Sequence, residues 1–165
     1  MVKKPVHPML VHFPIALLVA SFVADVAYFV TSIQTLRDAG WWMLVGGAAM
    51  GLLTVRAGMF DMHRVPLRAN VHEGVHRHRW VGIALVAVMC GLTTWRWTFY
   101  AEPSQKMPML HLDIAFLAVA LAAFQGWLGG ELVYEYAVFV NPEAVAGSHA
   151  ESSVDAHPAN HARLG

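Results

Sequence analysis

Four apolar stretches, each long enough to cross a lipid bilayer, constrain this sequence more than any other feature. They run over residues 9–31, 41–62, 79–100 and 109–130. A helix needs roughly 20 apolar residues to span a hydrocarbon core about 30 Å thick. Because a chain inside lipid has to satisfy its backbone hydrogen bonds internally, we predict an all-α fold, a four-helix transmembrane bundle.

The overall composition is also that of a membrane protein. Hydrophobic residues make up 57% of the 165-residue chain and charged residues 13%, whereas soluble domains carry about 25% charged residues. The 11 basic and 11 acidic residues balance each other, which argues against a nucleic-acid partner. The single cysteine, Cys90, excludes an intrachain disulfide and a thiol pair.

Aromatic and basic residues mark the ends of the predicted spans. The tryptophans, all near a predicted interface, are Trp41, Trp42, Trp80, Trp95, Trp97 and Trp127. The side with the N-terminus and the 63–78 loop carries Lys3, Lys4, Arg64, Arg68, Arg77 and Arg79, and the other side carries Arg37, Arg96 and Lys106. The positive-inside rule therefore predicts that both termini lie in the cytoplasm.

The chain divides into a membrane domain and a tail. We assign residues 1–143 to the four-span membrane domain. Residues 144–165 are rich in alanine, serine, histidine and acidic residues without apolar periodicity, so we predict that this tail is disordered.

Histidines gather at one side of the predicted bundle. Those near its N-terminal face are His7, His12, His63, His72, His76 and His78. Imidazoles that converge from separate transmembrane helices can bind a metal ion or a haem. This face is therefore the candidate site.

A b-type haem is the first candidate cofactor. Two axial nitrogens approach its iron from opposite sides of the porphyrin, so the ligands have to come from facing helices. We predict His12 as one ligand and either His76 or His78 as the other. Arg56, together with either Arg64 or Arg79, is predicted to neutralise the propionates.

The spacing permits one haem rather than two. A second haem held by the same helices would need ligands about 20 Å further along. Asp25 and Met89 stand there instead of histidines. Two bis-histidine haems are therefore excluded.

A non-haem metal site is the alternative. Imidazoles from His7, His12, His72 and His76 are suitable ligands for copper or zinc. His72 and His76 are four residues apart and share a helix face. The same histidines also have a structural interpretation, in which they cap helix ends or contact lipid phosphates.

Asp25 is a costly residue because it lies deep in the first span. An aspartate at the bilayer centre costs about 2.5–3.5 kcal/mol, so a partner or protonation is expected. His111 and Asp113 begin the fourth span within reach of Asp25 if these spans touch. Hydrogen bonds to Thr31, Ser32 or another helix are the alternative, and we favour a structural role over a proton path or a quinone contact.

Asp61 is the fourth polar residue expected inside the bundle, near the end of the second span. Its carboxylate is expected to pair with Arg64 or to orient a ligand histidine. An acceptor behind a ligand histidine fixes the tautomer and the orientation of the ring.

Several motifs together resemble a known family. They are the opening His7-Pro8-Met9-Leu10-Val11-His12-Phe13-Pro14, Asp25, the pair Gly58 and Asp61, and Gly129-Gly130-Glu131-Leu132-Val133-Tyr134. The chain thus resembles small four-helix bacterial membrane proteins classed as a domain of unknown function. Some members resemble fusions to Rieske-type iron–sulfur domains. Tyr136-Ala137 stands here where the family usually has a His-Gly pair.

The resemblance implies a multi-pass protein of the bacterial inner membrane and hints at electron transfer. Our leading hypothesis is a b-type haem electron-transfer component that couples a membrane quinone or another partner to a Rieske-type or other soluble redox protein. The alternatives are a copper- or zinc-binding membrane protein and a non-catalytic subunit of a membrane complex.

Overall fold

The chain folds into helices that follow the apolar stretches. The computed structural model describes residues 7–62, 72–100, 102 and 105–134. Its helices are α1 (His7–Leu10), α2 (His12–Thr31), α3 (Gln34–Met62), α4 (His72–Tyr100) and α5 (Met109–Tyr134). These described residues contain no strand. The prediction of an all-α fold is confirmed.

Four helical segments are long and apolar enough to cross a membrane. They are His7–Thr31, which combines α1 and α2, Gln34–Met62, His72–Tyr100 and Met109–Tyr134. The second and third segments begin earlier than their apolar stretches, and the fourth ends later. Helical hydrogen bonding continues past the hydrocarbon because polar side chains at helix ends can reach water and headgroups. The tail predicted for residues 144–165 lies outside the described residues.

A proline explains the break between α1 and α2. Pro14 has no N–H to donate to the carbonyl of Leu10, and its ring clashes with that carbonyl in a regular helix. Helix α1 accordingly ends at Leu10, and α2 begins at His12. The interruption is slight, because Val11 keeps helical dihedral angles (φ −59°, ψ −28°) and donates its N–H to the His7 carbonyl at 3.2 Å. Helix α1 packs against both α3 and α2.

The remaining helices form a four-membered ring. Helix α2 packs along α3, α3 along α4, α4 along α5, and α5 returns to α2. Helices α2 and α4 therefore lie diagonally across the bundle. At the other end, the chain turns from α2 into α3 at Ser32, which has a left-handed conformation (φ 58°) and donates its N–H to the Tyr28 carbonyl at 2.7 Å.

Small residues let the helices approach closely around a buried apolar core. The buried core side chains include Leu18, Leu44, Met89, Leu92, Ala118 and Ala122. A Cβ on Gly47 would lie 2.9 Å from the Met89 methyl group, and one on Gly51 would lie 2.9 Å from Val86. Close packing of this kind stabilises helix pairs in lipid, where burial of apolar side chains gives little gain.

Candidate functional site

A cavity of about 470 Å³ lies at the end of the bundle where α1 is placed. Its size is within the roughly 300–1,000 Å³ that is usual for ligand sites. All five helices contribute to its walls, which are mostly apolar. The charged and polar side chains that line it are His7, His12, Asp61, His78, Arg79, Gln125 and Tyr134.

His7 is held in a defined orientation by α3. Its Nδ1 lies 3.0 Å from the carbonyl oxygen of Thr54, and its backbone N–H donates to Asp61 Oδ2 at 2.9 Å. Because a carbonyl can only accept, Nδ1 carries the ring proton and Nε2 retains a lone pair. This is the tautomer that a metal-binding histidine adopts when a backbone carbonyl lies behind it.

Gly58 makes that orientation possible. A Cβ at this position would lie 3.0 Å from His7 Nδ1 and 3.5 Å from the ring carbons next to it. Any larger residue would therefore push the imidazole away from the Thr54 carbonyl.

His78 faces His7 from α4. The two ring centroids are 6.0 Å apart, and the ring planes are nearly perpendicular at 89°. An imidazole nitrogen binds a metal at about 2.0–2.1 Å, so two rings on opposite sides of one ion have centroids roughly 6 Å apart. The centroid separation of His7 and His78 is of that size, and the two rings meet in a T-shaped, edge-on arrangement.

Gln125, on α5, contacts the edge of the His78 ring that carries its two nitrogens. Its Nε2 donates to the His78 carbonyl at 3.0 Å and lies 3.1 and 3.2 Å from the two ring nitrogens. The Gln125 side chain is buried, and its Oε1 has no hydrogen-bond partner. Sequence reasoning did not select Gln125, although an amide inside an apolar span is itself a signal of a functional position.

Arg79 adds a positive charge to the cavity wall. Its Nε is buried without a hydrogen-bond partner, and its guanidinium lies 5.5 Å above the Trp80 ring. Its neighbour Arg77 pairs instead with Glu131 at 2.9 Å.

The structure brings together only part of the histidine set selected from the sequence. His12 lines the cavity, with an exposed side chain. His76 is exposed and accepts a hydrogen bond from Trp80 Nε1 at 3.0 Å, outside the cavity lining. His72 is exposed at the start of α4. Within the described ranges, no group of three or more histidine, cysteine or acidic residues is arranged to hold a metal ion.

The structure tests two of the three arginines that were considered as propionate partners. Arg56 is exposed on α3 and lies outside the lining. Arg64 lies outside the described residues, and so does His63. Arg79, the alternative to Arg64, lines the cavity.

A second polar cluster lies at the opposite end of the bundle. Arg96 Nη1 donates to both carboxylate oxygens of Asp25, at 2.8 and 2.9 Å. His111 Nε2 lies 3.4 Å from Asp25 Oδ2, and all three side chains are buried. The positive charge of Arg96 offsets the free-energy cost of burying the Asp25 carboxylate.

The other expected partners of Asp25 are engaged elsewhere or exposed. The Thr31 hydroxyl donates to the Ala27 carbonyl at 2.7 Å. Asp113 is exposed. Asp61, the polar residue expected near the end of the second span, is buried. Arg37 lies beside the cluster, and its guanidinium donates to the carbonyls of Tyr100 and Glu102.

These features define an integral membrane protein built as a four-helix bundle, with a histidine-lined cavity at one end and a buried ion pair at the other. A family model described as "Predicted membrane protein (DUF2231)" matches residues 3–142. The chain belongs to this family, which confirms the resemblance drawn from its motifs. No curated protein and no solved structure matches the chain.

Proposed function

We propose that the protein is a small electron-transfer component that binds one b-type haem in the cavity between His7 and His78. The observation that carries the proposal is the facing pair of imidazoles on separate helices, with centroids 6.0 Å apart. His7 already has the tautomer that leaves Nε2 as the ligand atom. Bound haem supplies one-electron chemistry.

The walls of the cavity favour a flat organic cofactor over a bare ion. A volume of about 470 Å³ exceeds what a single ion needs. The walls are mainly apolar and include Gly58, Gly82 and Gly129. The space beside these glycines is taken by the side chains of His7, Gln125 and His78, so the glycines seat the side chains that would hold the cofactor.

This arrangement changes one of the two axial ligands expected from the sequence. His78 is retained on α4, and His7 replaces His12 opposite it. Helix α1 packs against α3, where the Thr54 carbonyl and the Asp61 carboxylate contact His7. The exposed His12 lies at the cavity wall, where it can contact the edge of the cofactor.

The position of the site suggests how electrons reach it. The cavity lies at the end of the spans that the positive-inside rule assigns to the cytoplasmic face of a bacterial inner membrane. A quinone in the bilayer and a soluble partner such as a Rieske-type protein both have access to that level. We propose electron exchange between two such partners.

A copper site is the second candidate, supported by a different observation. Met59 and Met62 line the same cavity as the two facing histidines. Copper accepts thioether and imidazole ligands together. Zinc is less suited to this set, because its protein ligands are thiolate, imidazole and carboxylate.

An optical spectrum of the protein extracted from membranes tests the proposal. Haem bound by two imidazoles is expected to give a six-coordinate, low-spin spectrum, which His7→Ala and His78→Ala each convert or abolish. His72→Ala is the matched control, because His72 is exposed and does not line the cavity. Protein that stays colourless after haem supplementation would remove the haem proposal. Stoichiometric copper in metal analysis would then support the second candidate. If the protein contains neither haem nor copper, the remaining hypothesis is a non-catalytic subunit of a membrane complex.

A further inference from the structure

We propose that Arg79 binds a free carboxylate of the cofactor, so that the cavity selects a porphyrin with an ionised propionate. The inference rests on the proposed function and adds a specificity-determining residue to the site. Of the arginines that the sequence suggested for this role, Arg79 lines the cavity, Arg56 does not, and Arg64 lies outside the described residues.

The first argument is the unmet hydrogen bond of Arg79. Its Nε is buried and has no hydrogen-bond partner. Buried donors in folded proteins are almost always paired with protein groups, water or a ligand. Since Arg79 lines the cavity, a group bound there is the natural acceptor.

The second argument is that the other polar groups nearby already have partners. Glu131 is paired with Arg77 at 2.9 Å. Asp61 accepts the backbone N–H of His7. Within the described part of the chain, Arg79 forms no salt bridge, whereas Arg77 and Arg96 each do.

The third argument is the position of Arg79 relative to the proposed ligand. Arg79 follows His78 on α4, and both residues line the cavity. A porphyrin bound at its iron by His78 carries its propionates at the edge of the ring, away from the metal. A guanidinium matches a carboxylate in charge and geometry, since it offers parallel N–H donors. One cofactor can therefore occupy His78 and Arg79 together.

The experiment compares two porphyrins that differ only in their carboxylates. Haem b and its dimethyl ester are titrated into the apo form of the full chain in detergent, and dissociation constants are obtained from the Soret band. We expect the ester to bind wild-type protein about tenfold more weakly or worse, since a hydrogen bond to a charged group is lost. In Arg79→Met, the affinity for haem is expected to fall to that for the ester. The affinity for the ester is expected to be the same as in the wild-type protein.

Arg77→Met is the matched control. It removes the neighbouring arginine, whose partner is the protein's own Glu131, and should leave the preference for haem over the ester unchanged. Arg79→Lys should retain part of the preference, because it keeps the charge and loses the planar fork.

The outcomes separate this inference from the proposal on which it rests. Equal affinity of wild-type protein for haem and its ester overturns the role of Arg79 and leaves haem binding intact. Failure of both porphyrins to bind overturns the haem proposal and this inference with it. The wild-type comparison needs no substitution, so a poorly folded Arg79 variant does not prevent the test.

Discussion

Arg96 and Asp25 form a buried ion pair across the diagonal of the bundle, with Arg96 Nη1 2.8 and 2.9 Å from the two carboxylate oxygens of Asp25. Their side chains are 3% and 1% exposed. Arg96 also donates to the Arg37 carbonyl on α3, and His111 on α5 lies against the same carboxylate. Asp25 therefore connects all four membrane-spanning segments at the end opposite the cavity.

Removing one partner of this ion pair is expected to destabilise the fold strongly. Asp25→Asn or Arg96→Met leaves a buried charge without its counter-charge, which costs about 3–5 kcal/mol. The free energy of unfolding in detergent measures the loss. Because the pair lies at the other end of the bundle, the haem spectrum of the protein that remains folded should be unchanged.

The double variant tests whether the cost comes from the unpaired charge. Asp25→Leu with Arg96→Met replaces both charges by apolar groups and should lose less stability than the single variants Asp25→Leu and Arg96→Met added together. Additive losses would show that the two side chains contribute independently.

Gly40 is the second test of this cluster. A Cβ at position 40 would lie 2.3 Å from Asp25 Oδ1, and the Gly40 carbonyl accepts the Ser21 hydroxyl at 2.8 Å. We expect Gly40→Ala to separate α2 from α3 and to lower the free energy of unfolding by about 1–3 kcal/mol, as overpacking does. Gly91→Ala is the control, because nothing lies within 4 Å of its Cβ. That change should be neutral or stabilise α4 by about 0.5–1 kcal/mol. Equal effects at both positions would contradict the packing argument.

The number of membrane-spanning segments and their helical structure were predictable, because each span corresponds to one continuous apolar stretch of the sequence. The rotation of each helix was not. His76 and His78 are two residues apart, so they project from opposite sides of α4. Only the packing of α4 against α5 decides that His78 faces the cavity and His76 faces Trp80. A helix that is apolar on all sides carries no stripe from which its buried face can be deduced.

The partners of single polar residues were harder still to predict. The burial of Asp25 was expected from its depth in the span, and contact with His111 was one of the expected arrangements. Arg96 was counted only as a charge near the membrane surface. Its position beside Trp95 and Trp97 indicates its depth in the membrane but not whether its side chain points into the bundle. The placement of His7 opposite His78 could not be deduced either, because it depends on the contacts of His7 with Thr54 and Asp61 on α3.

Substitution of Gly58 tests the placement of His7 without removing any ligand. A Cβ in Gly58→Ala would lie 3.0 Å from His7 Nδ1 and displace the ring from the Thr54 carbonyl. We expect haem affinity, measured by titration of the Soret band, to fall about 10- to 100-fold, as it does when support behind a ligand is lost. Gly126→Ala is the control, since Gly126 also lines the cavity and has nothing within 4 Å of its Cβ. Unchanged affinity in Gly58→Ala would argue against His7 as a ligand.

Gln125 is expected to set the ligand properties of His78. Gln125→Met keeps the length of the side chain and removes the amide that donates to the His78 carbonyl and lies beside its ring. The ring then loses its fixed orientation, so we expect weaker haem binding by about 10- to 100-fold and a shifted reduction potential, read by redox titration of the haem bands. The exposed neighbour Phe124 supplies the control Phe124→Leu, which should change neither quantity. If Gln125→Met lowers the free energy of unfolding but leaves the affinity and the potential of the haem unchanged, the amide serves packing alone. A selective change in potential would instead place Gln125 directly behind the ligand.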